Sequence, residues 1–109
     1  MQGVWMQGVC LKIFVGEMQR HDGVLLFEWL LEHAKGIGIS GGTAIRAIAG
    51  YGRHGRLHED AFFELAGDLP VEVEFLLSDD QANALLKLLR EHKLSLLYVK
   101  MPAEFGMMV

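Results

Sequence analysis

Residues 69–100 read LPVEVEFLLSDDQANALLKLLREHKLSLLYVK, and the fold of the whole chain turns on them. After Leu69-Pro70, the residues Val71, Val73, Phe75 and Leu77 alternate with Glu72 and Glu74. That period of two is the mark of a strand with one dry and one wet face. Ser78-Asp79-Asp80-Gln81 follows as a capping box, in which the serine accepts from a first-turn amide and the glutamine reaches back to the serine backbone. Ala82, Leu85, Leu86 and Leu89 then recur at helical spacing. Acids stand in the first turn and Arg90, His92 and Lys93 in the last, as the helix dipole favours. Residues 94–100 return as an apolar run, which Met101-Pro102 is expected to end. The stretch is therefore a strand, a helix and a strand.

The upstream half repeats this plan. Residues 11–15 are a short β-rich run closed by Gly16. The next segment predicts a helix capped by Asp22 and ended by Gly36, with Leu26, Phe27, Leu30, Leu31 and Ala34 as its apolar stripe and Glu28, Glu32 and Lys35 on the wet face. Residues 43–49, TAIRAIA, read as a second strand with Thr43, Ile45, Ala47 and Ala49 on one face and Arg46 on the other. The order β-α-β-β-α-β predicts an α+β, ferredoxin-like fold: a four-stranded antiparallel sheet carrying two helices on one face. The other sheet face is left bare and needs a cover. Arg46, Glu72 and Glu74 are expected to point toward it and to pair across the hairpin or between subunits. Such exposed pairs are worth ~0–1 kcal/mol, so they act on register and specificity.

The chain has 109 residues, enough for a single domain spanning 1–109. Hydrophobic residues make up 51% of it and the mean hydropathy is +0.25, which excludes disorder. A domain this size buries only ~60–70% of the surface its unfolded chain exposes, so the apolar excess is expected at a subunit interface. A net charge of −4 argues against a general nucleic-acid binder. Cys10 is the only cysteine, which excludes an internal disulfide, a cysteine-based zinc knuckle and an iron–sulfur cluster and suits a reducing cytoplasm. Cys10 itself reads as a core residue opening a strand. Residues 1–11 are too short to span a membrane and lack the basic start and cleavage site of a signal peptide. Residues 1–9, with their MQGVW/MQGVC echo, read as an N-terminal extension in the form of a tail.

Charge is unevenly spread. From Arg46 to His58 there are three arginines (46, 53, 56), two histidines (54, 58) and no acid, while the other 96 positions carry 7 basic and 14 acidic residues. A +3 island thus sits on an acidic molecule, in a glycine-bearing segment whose backbone amides and arginine forks suit a phosphate or carboxylate. Two matches to G-x-G-x-x-G, at 36–41 and 50–55, are not dinucleotide fingerprints: one follows a helix, and the other lacks the helix and βαβ unit that the mechanism needs. His54 and His58, four apart, form an alternative metal pair. His21 and His92 near helix ends, and His33 on a helix, read as capping or solvated side chains. Glu72 and Glu74 are paired carboxylates without a nucleophile beside them, and the residues point to no enzyme.

The run Gly38-Ile39-Ser40-Gly41-Gly42-Thr43, then Arg46, Gly50-Tyr51-Gly52-Arg53, Leu69-Pro70 and the Val/Glu strand resembles the PII signal-transduction superfamily. It is most similar to a PII-like branch known as a domain-of-unknown-function family. His21-x-Gly23-x-x-Leu26-Phe27-Glu28, Leu57-His58 and Asp68-Leu69-Pro70-Val71 add to the likeness, which covers about residues 10–102. The resemblance implies a homotrimer with the bare sheet faces turned inward and a small anionic effector, an adenine nucleotide, in the cleft between subunits. It maps that site onto Gly41, Gly42, Thr43, Gly50, Gly52 and Arg53, with Arg56 and His58 further along the same segment. Residues 51–68 are similar to the long T-loop that meets partners, here a protein such as a membrane transporter. PII proteins hold the outer phosphates with a lysine-bearing glycine loop before the last strand, whereas 92–96 here read HKLSL. The resemblance therefore implies AMP or ADP in preference to ATP. A related copper-tolerance fold is the alternative, a metal-binding trimer using His54 and His58.

Overall fold

Strand β1 (Gly3–Gly16) organises the molecule. In this computed structural model, which describes residues 3–50 and 69–109, β1 pairs antiparallel with β5 (Pro70–Leu77) on one side and β6 (Leu97–Met108) on the other. β4 (Thr43–Arg46) adds to the far edge of β5, and the sheet order is β4-β5-β1-β6. Helices α1 (Leu26–Gly36) and α2 (Asp79–Glu91) lie against one face. This is the ferredoxin-like α+β architecture that the sequence predicts. One small element is additional: β2 (Arg20–His21) and β3 (Val24–Leu25) pair as a two-residue hairpin before α1.

The core is the dry face of the sheet against the two helices. Val9, Leu11, Ile13 and Val15 of β1 and Val71, Val73, Phe75 and Leu77 of β5 are buried. They meet Leu26, Trp29, Leu30 and Ala34 of α1 and Ala82, Leu85, Leu86 and Leu89 of α2. No polar or charged residue is buried among the described residues. Burying each large apolar side chain is worth ~1.5–3 kcal/mol, and here no desolvated polar group offsets it.

The capping box of α2 forms as expected, with Gln81 N–H donating to Ser78 Oγ and Ser78 N–H donating to Gln81 Oε1, both at 3.1 Å. The start of α1 differs. Its N-cap is Leu25, with no side-chain cap, while Asp22 (φ 51°) and Gly23 (φ 82°) occupy the hairpin turn. Two consecutive positive φ angles are the type I′ signature, for which Asp-Gly is a preferred sequence. The helix ends at Gly36, as the sequence predicts, and Gly38 (φ 95°) turns the chain so that Ile39 N–H donates to the Ala34 carbonyl at 3.0 Å.

Four further corrections concern the strands. The segment read as an N-terminal tail is β strand from Gly3, paired in register with β6 from Gly3↔Met108 to Phe14↔Leu97. Pro102 does not end β6, because β6 is an edge strand that does not need every N–H. Gly8 permits the close approach on which this ribbon depends: a Cβ there would lie 2.4 Å from the Leu77 carbonyl oxygen and 2.9 Å from Phe105. Cys10 is half-buried and alternates with the core residues Val9 and Leu11, so it faces away from the helices. Finally, β4 is shorter than the 43–49 run, and its Ala44 pairs with Val73 and shares that residue's dry face. Arg46 accordingly lies on the helix side of the sheet, and Thr43 and Ile45 on the bare side.

Candidate functional site

Two clusters of chemistry-bearing residues emerge. The first gathers where the sheet meets the segment 51–68. Here β4 is an edge strand: Thr43 and Ile45 are exposed, and the chain leaves it with Ala47 N–H donating to the Pro70 carbonyl at 2.9 Å. Opposite, Glu17 N–H donates to the Leu69 carbonyl at 2.9 Å, and Arg46 Nε meets Glu17 Oε2 at 3.1 Å. The expected partner of Arg46 was Glu72 or Glu74; with Arg46 on the helix side, Glu17 takes that role. The three strand ends are thus clasped at the base of the arginine-rich segment. Gly50 packs beside Pro70, to whose Cγ a Cβ would approach within 3.4 Å.

Of the residues predicted to line a nucleotide site, Gly41, Gly42 and Thr43 lie at the start of β4, where Thr43 pairs with Glu74, and Gly50 lies past its other end beside Pro70. Gly52, Arg53, Arg56 and His58, and the alternative metal pair His54 and His58, lie outside the described residues. The two adjacent glycines differ in what requires them. A Cβ on Gly41 meets nothing within 4 Å, leaving its backbone open, whereas one on Gly42 would lie 2.5 Å from Phe75 Cε1 and 3.0 Å from Leu31 Cδ2. Gly42 is therefore demanded by core packing.

On the bare face, Lys12 Nζ meets Glu72 Oε1 at 3.3 Å. This bond, and then Glu72's charge, holds the Lys12 pKa above its usual value. Glu74 is raised above the ordinary carboxylate value, first by a hydrogen bond with Glu72, then by burial and by Glu72's charge, with Lys12 opposing. Around these charges the face is apolar, with Ile45, Leu76, Leu97, Val99 and Met101 all exposed.

The second cluster was not anticipated. The type I′ turn lifts His21 against the end of α2, where His92 is the C-cap, and His21 Nε2 stands 3.3 Å from His92 Nδ1. Asp22 Oδ2 lies 3.6 Å from the same His21 nitrogen. Both imidazoles pack edge-on to the indole of Trp29, with ring centroids 4.9 Å and 4.8 Å away. His33 stacks on Trp29 at 3.8 Å, its Nδ1 2.9 Å from the Trp29 carbonyl and its ring centroid 6.1 Å from that of His92. The three histidines read from sequence as separate caps or solvated groups thus surround one tryptophan. The Asp-Gly pair that makes the hairpin was the available signal.

Comparison with known proteins agrees with this architecture. The sequence model of the DUF190 family, described as "Uncharacterized ACR", matches residues 8–104. A UPF0166 protein of Aquifex aeolicus is 37% identical over 77 residues, 71% of this chain and 73% of that protein. Another, from Methanocaldococcus jannaschii, is 35% identical over 81 residues, 74% of each. Among solved structures, a putative PII-like signaling protein of Thermus thermophilus superposes with a TM-score of 0.57 at 19% identity, covering 97% of this chain and 92% of that one. CPII of Thiomonas intermedia, a nitrogen regulatory PII-like protein bound to ADP, AMP and bicarbonate, gives 0.59 at 16% identity, covering 96% and 99%. At these identities the structures speak to the fold, which is PII-like.

Proposed function

Since the chain belongs to the DUF190 family and carries a PII-like fold, we propose that it is a non-enzymatic, cytoplasmic regulatory protein that assembles as a homotrimer and binds an adenine nucleotide between subunits. The observation that carries this reading is the edge strand β4. It presents Gly41 and Thr43 on an open sheet edge and leads through Gly50 into a segment with Arg53, Arg56 and His58. Among the described residues one chain supplies an open edge there, and in this reading a second copy completes the cleft. Backbone amides of 41–43 and the arginine forks are suited to the phosphates. That CPII binds ADP and AMP supports the same ligand class. With no glycine loop between α2 and β6 to hold a γ-phosphate, AMP or ADP is the preferred effector.

The bound nucleotide is reported through residues 51–68, which engage or release a protein partner, such as a membrane transporter. A ligand shifts such an equilibrium only as far as it prefers one of the two states. No helix among the described residues is long and apolar enough to cross a membrane. Calorimetry with AMP, ADP, ATP and cyclic AMP is the test, with AMP or ADP expected to release the most heat and silence from all four refuting the reading. Arg53→Ala is expected to weaken binding ~10–100-fold, since a charge-assisted contact is worth ~1.5–3 kcal/mol. An unchanged affinity would remove Arg53 from the site.

A further inference from the structure

We propose that His21, Asp22 and His92 form a binding site for a tetrahedral divalent metal of the zinc class, remote in sequence from the loop histidines and independent of the nucleotide site. The nitrogen and oxygen atoms that these residues offer all lie within 4.8 Å of one another. Their spacing decides which geometry they suit. Two nitrogens bound to one tetrahedral ion at ~2.0–2.1 Å stand ~3.3–3.4 Å apart, whereas neighbouring ligands of an octahedral ion at the same bond length stand only ~2.8–3.0 Å apart. The His21 Nε2–His92 Nδ1 distance is 3.3 Å, and His21 Nε2 to Asp22 Oδ2 is 3.6 Å. The tetrahedral edge fits and the octahedral edge is too short. Asp22, whose side chain is 66% exposed, offers an oxygen within 4.8 Å of both histidine nitrogens.

The cluster is held in place from several directions. His21 is fixed by the hairpin, which Arg20 locks by donating to the Gly23 carbonyl at 3.1 Å. His92 is fixed as the C-cap of α2, its N–H donating to the Leu88 carbonyl at 3.1 Å. Trp29, only 4% exposed, backs both rings, and His33 stacks on Trp29 with its ring centroid 6.1 Å from that of His92. Asp22 and Lys93 are the only non-glycine residues with positive φ among those described, and each adjoins one of the two histidines. Positive φ turns the backbone beside each histidine, and the two imidazoles meet at 3.3 Å. Asp22, Trp29 and His33 also line an open groove along α1. Two neutral imidazoles and one carboxylate are a donor set that zinc accepts.

The full-length chain, freed of metal by a chelator and titrated with Co2+, is expected to take up one ion per chain with a tetrahedral absorption spectrum that Zn2+ then displaces. Loss of an outer partner of a ligand already weakens metal sites ~10–100-fold, so His21→Ala and His92→Ala should each weaken Zn2+ binding at least ~100-fold. His92→Gln keeps a polar helix cap and, with an unchanged circular dichroism spectrum, separates lost ligation from lost folding. The double variant His54→Ala/His58→Ala should bind as the wild type does. No stoichiometric uptake, an octahedral Co2+ spectrum, or binding that survives both His21→Ala and His92→Gln would overturn the proposal.

Discussion

A methyl group added at Gly42 would be driven to within 2.5 and 2.8 Å of the Phe75 ring and 3.0 Å of Leu31. Phe75 is only 2% exposed and has no room to yield. Gly42→Ala should therefore destabilise the fold by ~1–3 kcal/mol, the usual penalty of overpacking, measured as a lower denaturant midpoint. Gly41→Ala meets open space and should stay within ~0.5 kcal/mol of the wild type. That contrast makes Gly41 the useful probe of the nucleotide site: a fall in AMP affinity at unchanged stability would assign its backbone to the ligand, and an unchanged affinity would clear it. Loss of affinity in Gly42→Ala would report only on packing.

At the level of elements, β5 carries a dry face that builds the core and a wet face whose two carboxylates are neighbours. Folding raises the Glu74 pKa above its ordinary value of 4.5, chiefly through the hydrogen bond with Glu72. The folded chain therefore retains a proton that the unfolded chain has released between those two values. This contribution is fully present below the ordinary carboxylate pKa and is lost as pH rises through the folded value. Glu74→Gln removes the like-charge repulsion and should melt ~1–4 °C higher than the wild type near neutral pH, a difference that should vanish in acid. α2 offers a second test: Ser78→Ala removes the acceptor for Gln81 N–H and should cost ~1 kcal/mol in denaturant unfolding. β5 and α2 were legible because their patterns are local, a strict alternation followed by a capping box. The start of β1 and the end of β6 were not. Their stability comes from pairing residues 3–14 with 97–108, while Gly8, Pro102 and Gly106 mask the strand pattern locally. The face of β4 was misread for a related reason, since both of its faces carry apolar side chains and only the register with β5 distinguishes them. Of the candidate site, the glycines flanking β4 were legible as a motif. The histidine cluster was invisible because 71 residues separate His21 from His92 and only the antiparallel packing of hairpin against helix unites them.

At the scale of the whole molecule, the sheet's bare face explains the apolar excess in the composition. Leu97 is 55% exposed, Leu76 49% and Ile45 46%, on a face where Lys12, Glu72 and Glu74 supply the only charges among the described strand residues. A face this apolar, with a small charged patch to set register, suits contact between copies of the same chain. Leu76 is the position from which to test it. It pairs with Cys10 in β1, which in turn pairs with Met101 in β6, so it lies at the middle of the face. Its neighbours Phe75 and Leu77, not Leu76 itself, fill the core. Leu76→Asp should therefore leave the helical circular dichroism intact while placing an unpaired charge in each subunit contact, where a buried unpaired charge costs several kcal/mol. Light scattering should show the wild type at three times the chain mass and the variant at one. The same variant discriminates where the nucleotide sits: if the cleft needs a second copy to complete it, AMP and ADP binding should fall together with assembly. Undiminished binding by the monomer would confine the site to one chain, and a monomeric wild type would remove the inward-facing sheet from the proposal altogether.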